Sequence, residues 1–371
     1  MNSVWSWMRL SNEAEVNSPS LVIHLERVMS NMRRMVEIAG GAGRLRPHVK
    51  THKLAPLVTR QIAMGIHKFK GATLAEVEMV AEAGGTDVLL AMQLVGPNVR
   101  RFLKLIKKFP RTHFSTVGDD LNAIHELGRA AISEGACVDV LMDLDVGQGR
   151  TGIVPGPAAA EFYRALASTR GLQPGGLHAY DGHIHHGDPT ERLVACEEAY
   201  APVEKLRAEL RSQGLSVPRV VVGGSPTFPF HARRSGVECS PGTTVLWDAG
   251  YGKKLRDLPF LSAATLLTRV ISRPGENRLC LDLGHKAVAS EMAPPRVLFP
   301  ALEDAVAVAH NEEHLVLETK LADRFPVGSV LHGIPLHICP TVALHSTVQV
   351  ASEGRVVEEW PVSARARRLS I

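Results

Sequence analysis

The segment His337-Ile338-Cys339-Pro340-Thr341 places an imidazole and a thiol two positions apart. The segment reads as a strand, in which residues two apart face the same side, so both side chains could bind one ion. A nitrogen and sulfur pair suits zinc better than magnesium or calcium, and two protein ligands leave positions for water or substrate, as in catalytic sites. Taken alone, the pair is more often a buried cysteine beside a core histidine.

A lysine and a glycine-rich turn indicate a second kind of chemistry. Lys50 is expected at the end of a strand, where a partly desolvated amine can form a Schiff base with an aldehyde. Gly223, Gly224 and Ser225 have the composition of a phosphate cradle, because glycines let backbone N–H groups approach an anion. A plain glycine-rich turn would look the same. Together the two features imply pyridoxal phosphate, an electron sink for amino-acid carbanions.

Three histidines, His183, His185 and His186, follow Tyr180 within a few residues. Such a group could hold a metal or move protons at neutral pH. The alternative is a polar surface loop that happens to be rich in histidine.

The elements that position these residues alternate between short apolar runs and amphipathic segments from about residue 20 to about 255. This pattern is typical of repeated βα units, and eight candidate strands favour an α/β fold with a (β/α)8 TIM barrel over an open doubly wound sheet. The candidate strands are Leu21 to Leu25, Arg44 to Val49, Lys68 to Ala72, Asp87 to Ala91, Thr112 to Val117, Val138 to Asp145, Pro174 to Tyr180 and Arg219 to Gly223.

Near residue 255 the sequence pattern changes to apolar runs that are interrupted by glycine and proline. This pattern predicts a C-terminal all-β domain. One of its candidate strands is Leu336 to Leu344, which contains the His337 and Cys339 pair. We therefore expect a barrel over residues 16–255 and a β domain over 256–371, with 1–15 returning to it.

Composition excludes several classes of protein. The 371 residues are 45% hydrophobic and 22% charged, with a formal net charge of +4 that forms no basic block, so a globular protein without nucleic-acid binding is expected. Five cysteines without paired spacing fit a reducing compartment. No signal peptide or membrane-length apolar run is present, which predicts a soluble, cytoplasmic protein with no membrane partner.

The chain resembles the D-threonine aldolase and D-serine dehydratase family, which comprises fold-type III pyridoxal phosphate enzymes related to alanine racemase. The resemblance covers nearly the whole chain in order. It rests on Arg46-Pro47-His48-Val49-Lys50-Thr51-His52-Lys53, Asp143-Leu144-Asp145-Val146-Gly147-Gln148-Gly149-Arg150-Thr151-Gly152, His178-Ala179-Tyr180-Asp181-Gly182, Gly223-Gly224-Ser225 and His337-Ile338-Cys339-Pro340-Thr341.

The resemblance implies an alanine racemase-like barrel with a C-terminal β domain, assembled as a homodimer. It also assigns roles to residues. Lys50 would bind pyridoxal 5'-phosphate covalently, Arg150 and Tyr180 would contact it, and the Gly223 to Ser225 turn would hold its phosphate. His337 and Cys339 would bind a divalent metal, zinc or manganese, and His186, or His185 beside it, would be the catalytic base.

The implied substrate is a small D-amino acid that carries a 3-hydroxyl group. The resemblance favours D-threonine aldolase-like retro-aldol cleavage to glycine and an aldehyde. The alternative is D-serine dehydratase-like elimination to a 2-keto acid and ammonia, which cysteine at 339 favours because aldolase members typically carry aspartate there. A non-catalytic pyridoxal phosphate carrier is a third reading, and the long C-terminal region with its metal motif argues against it.

Overall fold

The computed structural model describes residues 3–371, with side chains from Trp5 onward. Within this range the strands are β1 Ser20–His24, β2 Lys68–Gly71, β3 Asp87–Leu90, β4 His113–Gly118, β5 Val138–Leu144, β6 Leu172–Ala179, β7 Val220–Val222, β8 Glu238–Cys239, β9 Ala264–Gly275, β10 Arg278–Leu281, β11 Val297–Leu298, β12 Val306–His310, β13 Leu315–Glu318, β14 Val330–Pro335, β15 Thr347–Ser352 and β16 Arg355–Pro361. The helices are α1 Leu25–Ala39, α2 Ala55–Ala63, α3 Leu74–Glu82, α4 Pro97–Lys108, α5 Leu121–Ser133, α6 Pro157–Ser168, α7 Pro189–Ser212, α8 Phe228–His231, α9 Ala249–Lys254 and α10 Ile338–Leu344.

The chain divides into two compact units. The barrel unit comprises Met35–Lys50, Ala55–Gly242 and Ala366–Ile371. The β unit comprises the chain up to Arg34, Thr51–Leu54 and Thr243–Arg365. The boundaries expected from the sequence, 16–255 and 256–371 with 1–15, stay a prediction, and residues 1 and 2 lie outside the described chain.

The barrel unit contains a parallel sheet in the order β2-β3-β4-β5-β6-β7-β8. Two parallel bridges close it, since Leu45 pairs with Cys239 of β8 and His48 pairs with Lys70 of β2. Inward residues such as Leu89 and Leu141 are fully buried and pack together, as expected for strands covered on both faces. The curled parallel sheet confirms the expected barrel fold, which places strand C-termini at one rim.

Side-chain caps begin several barrel helices. The Asp120 carboxylate accepts a hydrogen bond from the Ala123 amide at 2.8 Å and starts α5. Asp188 caps α7 in the same way, and Pro189 occupies its first turn, where no amide hydrogen is needed. These caps fix where each helix leaves the rim.

The β unit contains a sheet in the order β12-β13-β10-β9-β1-β15-β16, and β14 pairs with both β9 and β11. Its apolar core includes Leu10, Val22 and Leu267. The C-terminal domain predicted as all-β is confirmed as β-rich, and the β unit also contains α9 and α10.

Two local predictions were wrong. The first candidate barrel strand pairs instead within the β unit, where β1 runs parallel to β15 and antiparallel to β9. The segment 45–48 and the two-residue β8 complete the barrel in its place. Residues 338–344, expected to lie in a strand, form α10; Pro340 is tolerated because it lies in the first turn.

None of the helices in the described chain is long and apolar enough to span a membrane.

Candidate active site

Lys50 lies at the rim of the barrel unit, in the single 3₁₀ turn Val49–Thr51. This turn follows the segment 45–48, which closes the barrel. Its Nζ atom is 5.2 Å from the centroid of the Tyr180 ring, and Tyr180 directly follows β6. The guanidinium carbon of Arg150, in the loop after β5, lies 5.2 Å from the same centroid. The structure therefore brings together three residues that the sequence singled out separately.

These residues line a cavity of about 580 Å³ in the barrel unit. That volume falls in the range of roughly 300 to 1,000 Å³ typical of small-molecule sites. Its polar lining comes from the ends of several strands and includes His48, Lys50, Lys70, Gln93, Asp119, Asp143, Asp145, Gln148, Arg150, Thr151, His178 and Tyr180. A cavity at the C-terminal rim is where barrels place their chemistry.

The loop that carries Arg150 is held by a carboxylate. Oδ1 of Asp145 accepts hydrogen bonds from the amides of Gly147 and Gly149, both at 3.0 Å. Gly149 has a φ of +61°, a left-handed conformation that favours glycine. Arg150 itself is exposed, so this turn, rather than burial, restricts where it can reach.

The glycine-rich turn Gly223 to Ser225 follows β7 and is buried. Gly223 has a φ of +77°, and a Cβ added at Gly224 would lie 3.2 Å from the Tyr180 ring. The turn thus packs directly against the ring that Lys50 faces. Ser225 Oγ accepts a hydrogen bond from the Gly242 amide at 3.2 Å, which joins this turn to the residues after β8.

A buried carboxylate holds the turn. Asp181 Oδ1 accepts hydrogen bonds from the Gly224 amide at 3.0 Å and the Thr227 hydroxyl at 2.8 Å, and Oδ2 accepts one from His231 Nε2 at 2.8 Å. The Gly224 amide is therefore already used within the protein. Sequence reasoning missed Asp181, although a carboxylate next to Tyr180 in the rim motif was a usable signal.

Asp181, Cys196 and His231 form a group of three potential metal ligands whose donor atoms lie within 4.8 Å of one another in the described part of the chain. The 2.8 Å contact between Asp181 and His231 is a hydrogen-bond distance. Burial, with the Asp181 charge, raises the pKa of Cys196 to about 12, which keeps its thiol neutral. The group therefore has the properties of a hydrogen-bonded brace for the turn.

The histidines after Tyr180 are distributed differently. His183 is half-buried, and a Cβ on Gly147 would meet its ring at 2.9 Å. His185 and His186 are exposed, and neither belongs to the lining of the cavity. The proposed role of His186 or His185 as a base stays a prediction.

The pair His337 and Cys339 lies in the β unit at the start of α10, where His337 is the residue before the first helical turn. The two side chains interact electrostatically, and each shifts the pKa of the other. His337 has an extended backbone, with φ of −135°, and the strand expected to carry the pair is absent, so the role of the two residues as metal ligands stays a prediction. Asp248 Oδ2 accepts a hydrogen bond from the Ile338 amide at 3.1 Å and supports the helix start.

The electrostatics of the pair suit a metal. Burial opposes the charge of Cys339, but its interaction with His337, with a contact from Thr51 Oγ1 at 3.2 Å, lowers the pKa of its thiol overall. His337 Nδ1 donates to Glu291 Oε1 at 2.5 Å, the arrangement by which carboxylates orient ligand histidines. A thiol with a lowered pKa and an imidazole held by a carboxylate are groups that zinc binds once they are deprotonated, so these residues fit a divalent metal.

The barrel cavity likewise fits the cofactor that the resemblance implies. It offers an amine at Lys50, a cation at Arg150, a ring at Tyr180, and an adjoining glycine turn in which a Cβ at Gly224 would lie 3.2 Å from Tyr180. An aldehyde, an aromatic ring and a phosphate each have a chemically matching group.

Comparison with known proteins supports this reading. Residues 23–247 match the family described as alanine racemase, N-terminal domain, and residues 263–351 match the one described as putative serine dehydratase domain. The chain is 31% identical to a D-threonine aldolase from Arthrobacter sp over 95% of its own length and 93% of the relative.

Two solved structures extend the comparison. The crystal structure of D-threonine aldolase from Filomicrobium marinum matches with a TM-score of 0.88 and 29% identity, covering 95% of this chain and 97% of that chain. D-threo-3-hydroxyaspartate dehydratase from Delftia sp. HT23 matches with a TM-score of 0.83 and 26% identity, covering 94% and 98%. The chain belongs to the alanine racemase-like fold-type III family, among its D-threonine aldolase and D-serine dehydratase-like members.

Proposed function

We propose that this protein is a pyridoxal phosphate- and divalent metal-dependent lyase that cleaves D-3-hydroxy amino acids to glycine and an aldehyde. The observation that carries the proposal is the arrangement of Lys50 and Arg150 around the Tyr180 ring on a barrel cavity. Full-length similarity to a D-threonine aldolase supports it. Members of this family imply pyridoxal phosphate as the cofactor.

The residues of the cavity would share the work of holding the cofactor. Lys50 would bind it through its amine, Tyr180 and Arg150 would contact its ring system, and the Gly223 to Ser225 turn would receive its phosphate. When bound, pyridoxal phosphate supplies an electron sink for the electron pair left at Cα. Asp181 would act indirectly, because its hydrogen bonds fix the Gly224 backbone and the Thr227 hydroxyl.

The pair in the β unit would hold the metal. His337 and Cys339 supply two ligands, and Glu291 orients the imidazole through Nδ1. A divalent ion there would supply Lewis acidity toward the 3-hydroxyl group of the substrate. His186, or His185, would accept the proton of that hydroxyl, which breaking the Cα–Cβ bond requires.

Dehydration to a 2-keto acid and ammonia is the second candidate, and one observation favours it. Two solved structures of D-threo-3-hydroxyaspartate dehydratase variants replace a histidine and a cysteine two positions apart, and the structure of the cysteine variant is in the metal-free form. The spacing equals that of His337 and Cys339. Both residues also lie within the stretch that matches the putative serine dehydratase domain.

Product analysis with purified, cofactor-loaded protein separates the two reactions. From D-threonine, cleavage yields glycine and acetaldehyde, whereas dehydration yields 2-ketobutyrate and ammonia. D-Serine is a second probe because its dehydration yields pyruvate, and L-threonine is the control for stereochemistry. Formation of a keto acid without glycine would refute the proposed cleavage. Both reactions would be refuted if the protein turned over neither D-threonine nor D-serine nor D-3-hydroxyaspartate.

We further infer a homodimer, as the resemblance implies. Size-exclusion chromatography with light scattering measures this directly. A mass of one 40.2 kDa chain at micromolar concentration would contradict it.

A further inference from the structure

Two cations near the start of the barrel strands, Arg46 and Lys68, are paired with carboxylates. Buried Arg46 contacts Asp87 at 2.8 Å and Glu238 at 2.7 Å. Lys68, the first residue of β2, reaches the other oxygen of Glu238 at 2.7 Å. The fold thus follows the general rule that buried charge is accompanied by a counter-ion.

Lys70, two residues further along the same strand, is the exception. It is 1% exposed and lines the cavity beside Lys50. Within the described chain its Nζ atom has one hydrogen-bond partner, His178 Nε2 at 3.4 Å, and no carboxylate at ion-pair distance. Its amine also lies 5.5 Å from the centroid of the Tyr180 ring that Lys50 faces.

A chain of buried groups fixes Lys70 and its partner. His178 Nδ1 donates to Asp143 Oδ1 at 2.7 Å, which leaves Nε2 as an acceptor for the amine of Lys70. The Thr151 hydroxyl donates to the second oxygen of Asp143 at 2.9 Å. The carboxylate thus orients the imidazole, and the imidazole orients the lysine.

We propose that Lys70 is a second functional lysine of this cavity, which donates a proton to the cofactor held by Lys50 and takes it back. The inference rests on the proposed cofactor binding. The step balances as a single proton transfer, from the ammonium of Lys70 to a basic atom of the cofactor and back, with no change in oxidation state. The His178 and Asp143 pair is the positioning element.

The charges around Lys70 suit this role. Burial, followed by the charge of Lys50, lowers the pKa of Lys70 to about 7, and Asp143 and Asp181 offset part of the shift. Arg46 opposes protonation from the strand that closes the barrel. An acid–base group functions best when its pKa is close to the working pH.

The test is a pH titration of the visible absorbance of the cofactor-loaded protein, which does not depend on turnover. In the wild type the spectrum should change with a midpoint near pH 7. Methionine in Lys70→Met cannot carry the proton, and arginine in Lys70→Arg cannot release it. Both variants should therefore lose this transition. Between pH 6 and 9, Lys70→Met should keep the spectrum of the form in which residue 70 is neutral, and Lys70→Arg that of the form in which it is charged. Lys68→Met is the matched control on the same strand outside the cavity, and it should titrate like wild type.

Kinetics provide a second readout. Both variants should lower kcat/KM by about 100-fold near neutral pH and flatten its pH profile, and methylamine should restore part of the activity of Lys70→Ala. A spectral transition that is the same in wild type and Lys70→Met would overturn the role of Lys70 while leaving cofactor binding intact. Absence of any cofactor band in wild type would refute both.

Discussion

Replacement of Lys70 by methionine tests how strongly the burial of this amine destabilises the folded protein. Methionine approximates the shape of the lysine stem without its charge. The ammonium of Lys70 is fully buried without a carboxylate at ion-pair distance, so folding must remove it from water. We therefore expect the variant to be more stable than wild type at low pH.

The magnitude follows from the lowering of the Lys70 pKa from 10.5 to about 7. Because the pKa of Lys70 is lower in the folded state, the folded protein is destabilised by the full amount at pH values below the folded-state pKa, where the lysine is charged in both states. This free-energy penalty decreases as the pH rises toward the pKa of the unfolded state. At about 1.4 kcal/mol per unit, the penalty is about 5 kcal/mol at pH 6 and about 2 kcal/mol at pH 9. Loss of the hydrogen bond to His178 costs about 1 kcal/mol at either pH.

The assay is urea unfolding of cofactor-free wild type and Lys70→Met at several values of pH, so that ligand binding adds nothing to the folded state. The stability advantage of the variant should shrink by about 3 kcal/mol between pH 6 and pH 9. An advantage that stays constant over this range would refute the burial argument, since it would mean that Lys70 titrates alike in the folded and unfolded chains. Lys68→Met should show no such trend.

Two further predictions concern the metal pair and the brace of the turn. His337→Ala and Cys339→Ala should each lower zinc affinity at least tenfold and abolish turnover, measured by metal titration and assay, whereas Cys137→Ser, a change at an exposed cysteine, should alter neither. Unchanged metal content would contradict the site. Asp181→Asn should cost about 1 to 3 kcal/mol of stability and weaken pyridoxal phosphate binding, because His231 loses its acceptor. Asp188→Asn, at an exposed helix cap, should leave cofactor affinity unchanged, and equal effects of the two changes would contradict the brace.

Much of the barrel was predictable because its strands are apolar and regularly spaced. β3 to β7 lie within two residues of the predicted limits. The pairing of β1 was not predictable, since an apolar run such as Leu21–Ile23 indicates a fully buried strand but does not reveal its neighbours. β8 was missed because two residues carry no periodicity.

The site was predictable where the type of a single residue indicates its chemistry. It was less predictable where the role of a residue depends on which groups its side chain contacts. Lys50, Arg150 and Tyr180 come together as their positions after strands suggested. Lys70 was not singled out because the sequence does not distinguish it from Lys68. Only the structure shows that Lys68 forms an ion pair with a carboxylate, whereas Lys70 contacts a histidine. The run around Cys339 is apolar enough for either strand or helix, so the sequence did not reveal that the helix begins directly after His337.

The most direct test of the account is to reduce the cofactor-loaded protein with borohydride and map the modified lysine by mass spectrometry. Reduction fixes pyridoxal phosphate to the amine that carries it. We predict the label on Lys50 and not on Lys70 or Lys53, with loss of the visible band in Lys50→Ala. Label on another lysine, or none in a protein that binds the cofactor, would contradict the assignment of Lys50 on which the proposed lyase activity depends.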